Sequence, residues 1–238
     1  MQNNRGRRIE VERISNIEKI YEKWRPVVGD EEIEGYRKAG MGQRVGFGEK
    51  PALLVVDMTK IYVDPKYPMA HGTLVKTAVK GVQQVLSACR RANLPIFFVR
   101  PKRTTFTEMG LQREKWGCLK DSSLQSPEAN TWQAEICPKD EEIVFEKTKS
   151  SCFFETHFRS MLTYLKIDTL IITGISTSGC VRAAVMDAFF CNYRTIIPEQ
   201  CCGDRSPRAH LNSLFDMDMK YGDVMDIENV LSHLDNLC

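Results

Sequence analysis

Thr169-Leu170-Ile171-Ile172-Thr173-Gly174-Ile175-Ser176-Thr177-Ser178-Gly179-Cys180-Val181-Arg182-Ala183-Ala184 is the stretch from which the rest of the chain can be read. Leu170-Ile171-Ile172 is a short, continuous apolar run rich in β-branched residues, the pattern of a strand buried on both faces. Gly174 to Gly179 is small, polar and glycine-flanked, so the backbone can turn sharply and approach a ligand. From Cys180 onward Val181, Ala184, Val185 and Ala188 recur at helical spacing, which predicts that Cys180 falls at or near a helix N-terminus. Free N–H groups and the positive end of the helix dipole favour thiolate there. Cys180 is therefore a candidate nucleophile; the alternative is a cysteine packed as a small hydrophobe.

Working outward, other apolar runs repeat the theme. Leu53-Leu54-Val55-Val56 reads as a buried strand ending in Asp57, Ile96-Phe97-Phe98-Val99 as the next, and Ile143-Val144-Phe145 as a third leading to Lys147. Tyr193 to Pro198 and Asp223-Val224-Met225 follow Leu170–Thr173. Helical patterns lie between them, over 73–93, from His157 to Leu165, from Cys180 to Cys191, from Pro207 to Tyr221 and at the C-terminus. Strands alternating with helices predict an α/β three-layer sandwich, a mainly parallel sheet with helices on both faces. Residues 101–140 are polar and loop-rich, with room for one short helix.

Residues 1–46 differ from the 47–238 domain and read as an N-terminal helical arm. Ile9, Val11, Ile14, Ile17, Ile20, Tyr21 and Trp24 give a partly helical apolar pattern among charges, ended by Pro26, and Asp30 to Lys38 reads as a second short helix. Such an arm lies on its own domain or on a partner subunit.

Composition narrows the function. Hydrophobic residues make up 42% and charged residues 27%, ordinary for a soluble globular chain. A net charge of +2 gives no case for nucleic acid, and Arg5, Arg7 and Arg8 form only a short basic tail. No apolar run reaches the roughly 20 residues needed to span a bilayer, and no segment resembles a secretory signal. Nine cysteines, without CxxC pairs, argue for a reducing, cytoplasmic setting. His71, His157, His210 and His233 stand far apart, so no metal and no cofactor is expected.

In open parallel sheets ligands bind outside the carboxyl ends of the strands. Asp57, Lys147, Arg100 and the loop before Cys180 each follow a strand end, bringing a carboxylate, cations and a thiol to one rim. A lysine ammonium would favour the thiolate, and a carboxylate within reach would shuttle a proton to a leaving amine. Backbone N–H groups of the turn would hold an oxyanion. Acyl or carbamoyl transfer follows from that set. Singly, Asp57 reads equally as a local cap and Lys147 as a solvated surface lysine.

Three motifs then carry a resemblance: Leu53-Leu54-Val55-Val56-Asp57; Lys147 followed by Ser151-Cys152-Phe153; and Gly174-Ile175-Ser176-Thr177-Ser178-Gly179-Cys180-Val181. Together they resemble the isochorismatase-like cysteine hydrolases over about residues 50–200. Within that family the chain looks most like the N-carbamoylsarcosine amidases and maleamate amidohydrolases, through Cys202-Gly203-Asp204-Arg205 with His210, the segment to Lys220-Tyr221-Gly222-Asp223, and the arm with Tyr36. The resemblance implies a Cys180–Asp57–Lys147 triad and a cis peptide between Ile175 and Ser176, aiming the Ser176 and Cys180 N–H groups at the oxyanion. It implies that Arg205 binds a substrate carboxylate, a task for a planar multi-donor cation; the alternative for Arg205 is a surface ion pair with Asp204. It further implies a small carboxylate-bearing amide or ureido substrate, release of ammonia, and a homotetramer. Ser176 stands where threonine is frequent and Cys152 where a small residue is usual. The D-x-H-H metal motif of nicotinamidases is missing, with His71 the only histidine near its place. An enzyme of the carbamoylsarcosine type leads, ahead of a maleamate amidohydrolase or a non-catalytic oligomeric member.

Overall fold

β1 (Pro51–Val56) is buried at every position because both of its faces are covered. Leu53 and Val55 join Phe98, Ile171 and Ile196 beneath two helices, α4 (Thr73–Arg91) and α9 (Ile227–Asp235). Ala52, Leu54 and Val56 point the other way, into a core with α6 (Phe158–Tyr164), α7 (Arg182–Phe190) and α8 (Pro207–Lys220). The alternation that a strand imposes thus builds two cores on one sheet, the expected three layers. The computed structural model describes residues 17–102, 110–117 and 121–237. Arg5, Arg7, Arg8, Ile9, Val11 and Ile14 lie outside them, as do 103–109 and 118–120 in the loop-rich segment.

The other strands are β2 (Ile96–Pro101), β3 (Ile143–Lys147), β4 (Thr169–Ile175), β5 (Arg194–Pro198), β6 (Cys202–Gly203) and β7 (Asp223–Met225). Their order is β3-β2-β1-β4-β5-β7, with β6 beside the end of β4. All six pairings are parallel, so the carboxyl ends of the strands share one edge of the sheet. Two elements were not legible beforehand: β6, too short to show a period, and the one-turn helix α3 (Lys60–Val63). In the loop-rich stretch one short helix, α5 (Leu111–Lys115), precedes three 3₁₀ turns.

The described part of the arm packs on its own domain. Residues 17–28 form α1 and Asp30–Ala39 form α2. The helix does not end at Pro26 but runs to 28, because a proline removes one backbone bond while Tyr21 and Trp24 remain buried on the core and hold the turn. Trp24 meets Phe215 of α8 edge-on at 6.0 Å, and Tyr36 meets the same ring at 5.1 Å. Trp24 Nε1 donates to Asp218 Oδ2 at 2.6 Å, and the Val224 N–H donates to Asp218 Oδ1 at 2.7 Å. Trp24→Phe keeps most of the packing and deletes one charge-assisted bond. It should lower stability by about 1–2 kcal/mol, read as an earlier urea midpoint at unchanged slope. An unchanged midpoint would mean that the indole N–H adds nothing to the arm's hold.

Candidate active site

Each strand end delivers one group. Asp57 follows β1 directly and adopts a left-handed backbone, φ 54°, a region that Asp enters more readily than most residues. Lys147 is the last residue of β3. At the end of β4 the chain passes Gly174, φ 116°, where a Cβ would lie 2.1 Å from the Val56 carbonyl oxygen. Only glycine lets β1 and β4 approach so closely at their ends, next to Asp57 and the Cys180 loop. The peptide bond from Ile175 to Ser176 is cis. Thr177–Val181 then forms a π-type turn, closed by Val181 N–H to the Ser176 carbonyl at 3.1 Å, and α7 starts at Arg182. Cys180 therefore sits inside a wide turn that runs into the helix, not at the helix N-terminus itself. Such turns occur often at functional positions.

Lys147 Nζ lies 3.3 Å from Cys180 Sγ and 2.8 Å from Asp57 Oδ2. Asp57 is 1% exposed and Lys147 4%, so the ion pair is sealed from water. Apart from this ion pair, among the described residues neither Asp57 oxygen has a hydrogen-bond partner. A buried carboxylate with open lone pairs is a proton acceptor in waiting.

Electrostatics depart from the sequence reading at one point. Burial pushes the Cys180 thiol up, to about 12, with Lys147 opposing the rise and Asp57 adding to it. The expected depression of the thiol fails because desolvation of the sulfur outweighs the ammonium, and because Asp57 disfavours a second negative charge. Lys147 is pulled down by its burial, yet Asp57 and then Cys180 more than offset this and hold it above the ordinary lysine value. The resting site thus carries a neutral thiol beside a carboxylate–ammonium pair.

Asp57 and Cys180 line a cavity of about 390 Å³, together with Ser176 and Arg205. Lys147 stands behind them. Asp204, buried, accepts from the Ser178 N–H at 2.8 Å, the Ser178 hydroxyl at 2.7 Å and the Ser206 N–H at 3.3 Å. Thr177 Oγ1 and His210 Nδ1 are 2.8 Å apart. These contacts tie the Cys180 turn to the segment carrying Arg205. With Asp204 so occupied, no acidic partner for Arg205 is found among the described residues. Arg100, the other strand-end cation, pairs with Glu146 at 3.1 Å and lies outside the cavity lining.

Tyr62, Met69, His71 and Trp116 complete the wall and were not foreseen. The first three come from the 58–72 segment, whose mixed composition carries no period; its position straight after a strand-end aspartate was the available signal. Among the described residues no three His, Cys, Asp or Glu lie close enough to hold a metal ion. No helix among them is long and apolar enough to cross a membrane.

The family model for the Isochorismatase domain matches residues 51–229. The N-carbamoylsarcosine amidase of Arthrobacter sp. is 33% identical over 211 residues, covering 85% of this chain and 78% of that one. The maleamate amidohydrolase of Pseudomonas putida is 35% identical over 198 residues, covering 82% and 92%. Among solved structures, a cysteine hydrolase from Pseudomonas syringae pv. phaseolicola superposes with a TM-score of 0.74 at 19% identity, covering 79% of this chain and 94% of that one. The chain belongs to the isochorismatase family.

Proposed function

We propose that the protein is a cysteine amidohydrolase that cleaves the C–N bond of a small carboxylate-bearing amide or ureide and releases ammonia. The observation that carries this reading is the placement of Lys147 Nζ 3.3 Å from Cys180 Sγ and 2.8 Å from Asp57 Oδ2, with Arg205 lining the same cavity as the sulfur.

The neutral thiol sets the order of events. As Sγ attacks the substrate carbonyl carbon, the thiol proton passes to Asp57 and the carbonyl π electrons move onto oxygen. The Ser176 and Cys180 backbone N–H groups receive that oxyanion. Collapse of the tetrahedral intermediate breaks the C–N bond, and the proton held on Asp57 leaves with the amine as ammonia. A water then attacks the acyl or carbamoyl carbon and gives a proton to Asp57. Collapse of the second tetrahedral intermediate breaks the C–S bond and releases the acid, and Asp57 returns the proton to the sulfur to restore the thiol. Lys147 stays charged throughout and compensates negative charge on whichever of Asp57 or Cys180 bears it. Arg205 binds the substrate carboxylate, which holds the scissile carbonyl over the sulfur.

The two curated relatives support the substrate class, since both are named for small acids that carry an amide or ureido group. A panel of N-carbamoylsarcosine, maleamate and nicotinamide, read by ammonia release, tests the reading. Turnover of at least one of the two acids, with nicotinamide left intact, is the expected result. Turnover of nicotinamide alone would discard the carboxylate requirement.

A further inference from the structure

Arg205 is not free to point anywhere. Its Nη2 lies 3.4 Å from the Met69 carbonyl oxygen and 3.4 Å from His71 Nε2. A guanidinium only donates, so His71 Nε2 must be the acceptor, and the ring proton must then sit on Nδ1. His71 is 5% exposed, its backbone N–H donates to the Tyr62 carbonyl at 2.9 Å, and its ring meets Tyr62 edge-on at 5.6 Å. Its Nδ1 is buried with no hydrogen-bond partner of good geometry among the described residues. Burial pulls the imidazole down to about 4, the Arg205 charge adding to the fall and Asp204 opposing it, so the ring is neutral at ordinary pH. A neutral ring is what an arginine neighbour requires: a charged one would repel the guanidinium instead of accepting from it.

We propose that His71 is a positioning residue for substrate: its Nε2 and the Met69 carbonyl hold one edge of the Arg205 guanidinium, leaving the remaining N–H groups to receive a carboxylate inside the cavity. Selectivity for acids over their neutral analogues then depends on an uncharged histidine that never touches the reacting atoms. The inference rests on the amidohydrolase reading of this cavity and extends it to the residue that sets its anion preference. Residues 58–72 thereby supply specificity as well as wall.

The test uses two alkylating agents of nearly equal size, iodoacetate and iodoacetamide, which differ by the carboxylate. Their rates at Cys180, separated by peptide mass spectrometry from the eight other cysteines, are expressed as a ratio normalised to free cysteine. Wild type should favour iodoacetate, and Arg205→Met should abolish the preference. His71→Phe should lower the ratio about tenfold, the worth of a misaligned charge-assisted contact, while His71→Gln, whose amide oxygen can reach the Nε2 position, should stay within about twofold of wild type. Should His71→Phe melt too early to be used, His71→Asn, too short to reach Arg205, replaces it with the same expectation. A ratio lowered by Arg205→Met but unmoved in the His71 variants overturns the inference and leaves the amidohydrolase reading standing. Absence of any Cys180 labelling in wild type removes the nucleophile, and both readings fall together.

Discussion

Cys180→Ala should abolish ammonia release, lowering turnover by at least about four orders of magnitude, because the proposed mechanism has no other group to form the covalent intermediate. Asp57 cannot stand in for it. Its carboxylate is paired with Lys147, and in the proposed mechanism it takes a proton rather than acting as a second nucleophile. The same substitution should leave the fold alone. The thiol is neutral at rest, so its loss unpairs no charge. The melting temperature is expected within about 3 °C of wild type, corresponding to about 1 kcal/mol or less for a chain of this size. Ammonia release that persists in a folded Cys180→Ala protein would end the covalent mechanism outright.

Lys147→Met should damage both stability and chemistry. Removing the ammonium strands Asp57 as an unpaired charge at 1% exposure, the kind of loss that costs about 3–5 kcal/mol. Turnover should fall by about two to three orders of magnitude, since the cation that offsets negative charge on Asp57 and Cys180 is gone. The two effects separate in the double variant Lys147→Met with Asp57→Asn. There the buried charge is removed as well, so most of the stability should return while activity stays lost. Chemical denaturation and ammonia assays on the four members of the cycle measure this; stability that fails to recover would mean that Lys147 acts through packing and not through charge. The pH dependence has a definite sign. Lys147 is held above its ordinary value of 10.5, so its stabilising charge is complete below that pH and is lost only as pH climbs through the higher folded value. Between about pH 6 and pH 9 the Lys147 ammonium should therefore contribute no slope to wild-type stability.

Much of this architecture was readable beforehand, for reasons particular residues make plain. Leu53–Val56 and Leu170–Ile172 are buried on both faces, so their apolar runs are unbroken and mark strands without ambiguity. The groups that follow such strands reach the same edge whenever all pairings are parallel, which is why Asp57, Lys147 and Cys180 could be grouped across more than a hundred residues. Arg100 followed the same rule and still missed the cavity, because the rule fixes an edge and not a side-chain direction. The protonation state was not readable either. A sequence shows that a lysine and a turn stand near the cysteine, but the desolvation that dominates the thiol depends on how much protein surrounds it. β6, two residues long, and the wall from 58–72 have no periodicity to read, and they appear only once the chain is folded.

The bracing of the nucleophile turn by Asp204 has one more consequence. Ser178 and Ser206 hang from the same buried carboxylate, and Thr177 is joined to His210, so the turn that bears the sulfur and the segment that bears the guanidinium are bonded to one another. Under the proposed mechanism, their separation would serve as a ruler. An acid whose carbonyl stands the right number of bonds from its carboxylate would span the gap, and one a methylene longer or shorter would fit it less well. Discrimination among small acids would then be by length, measured between two fixed posts.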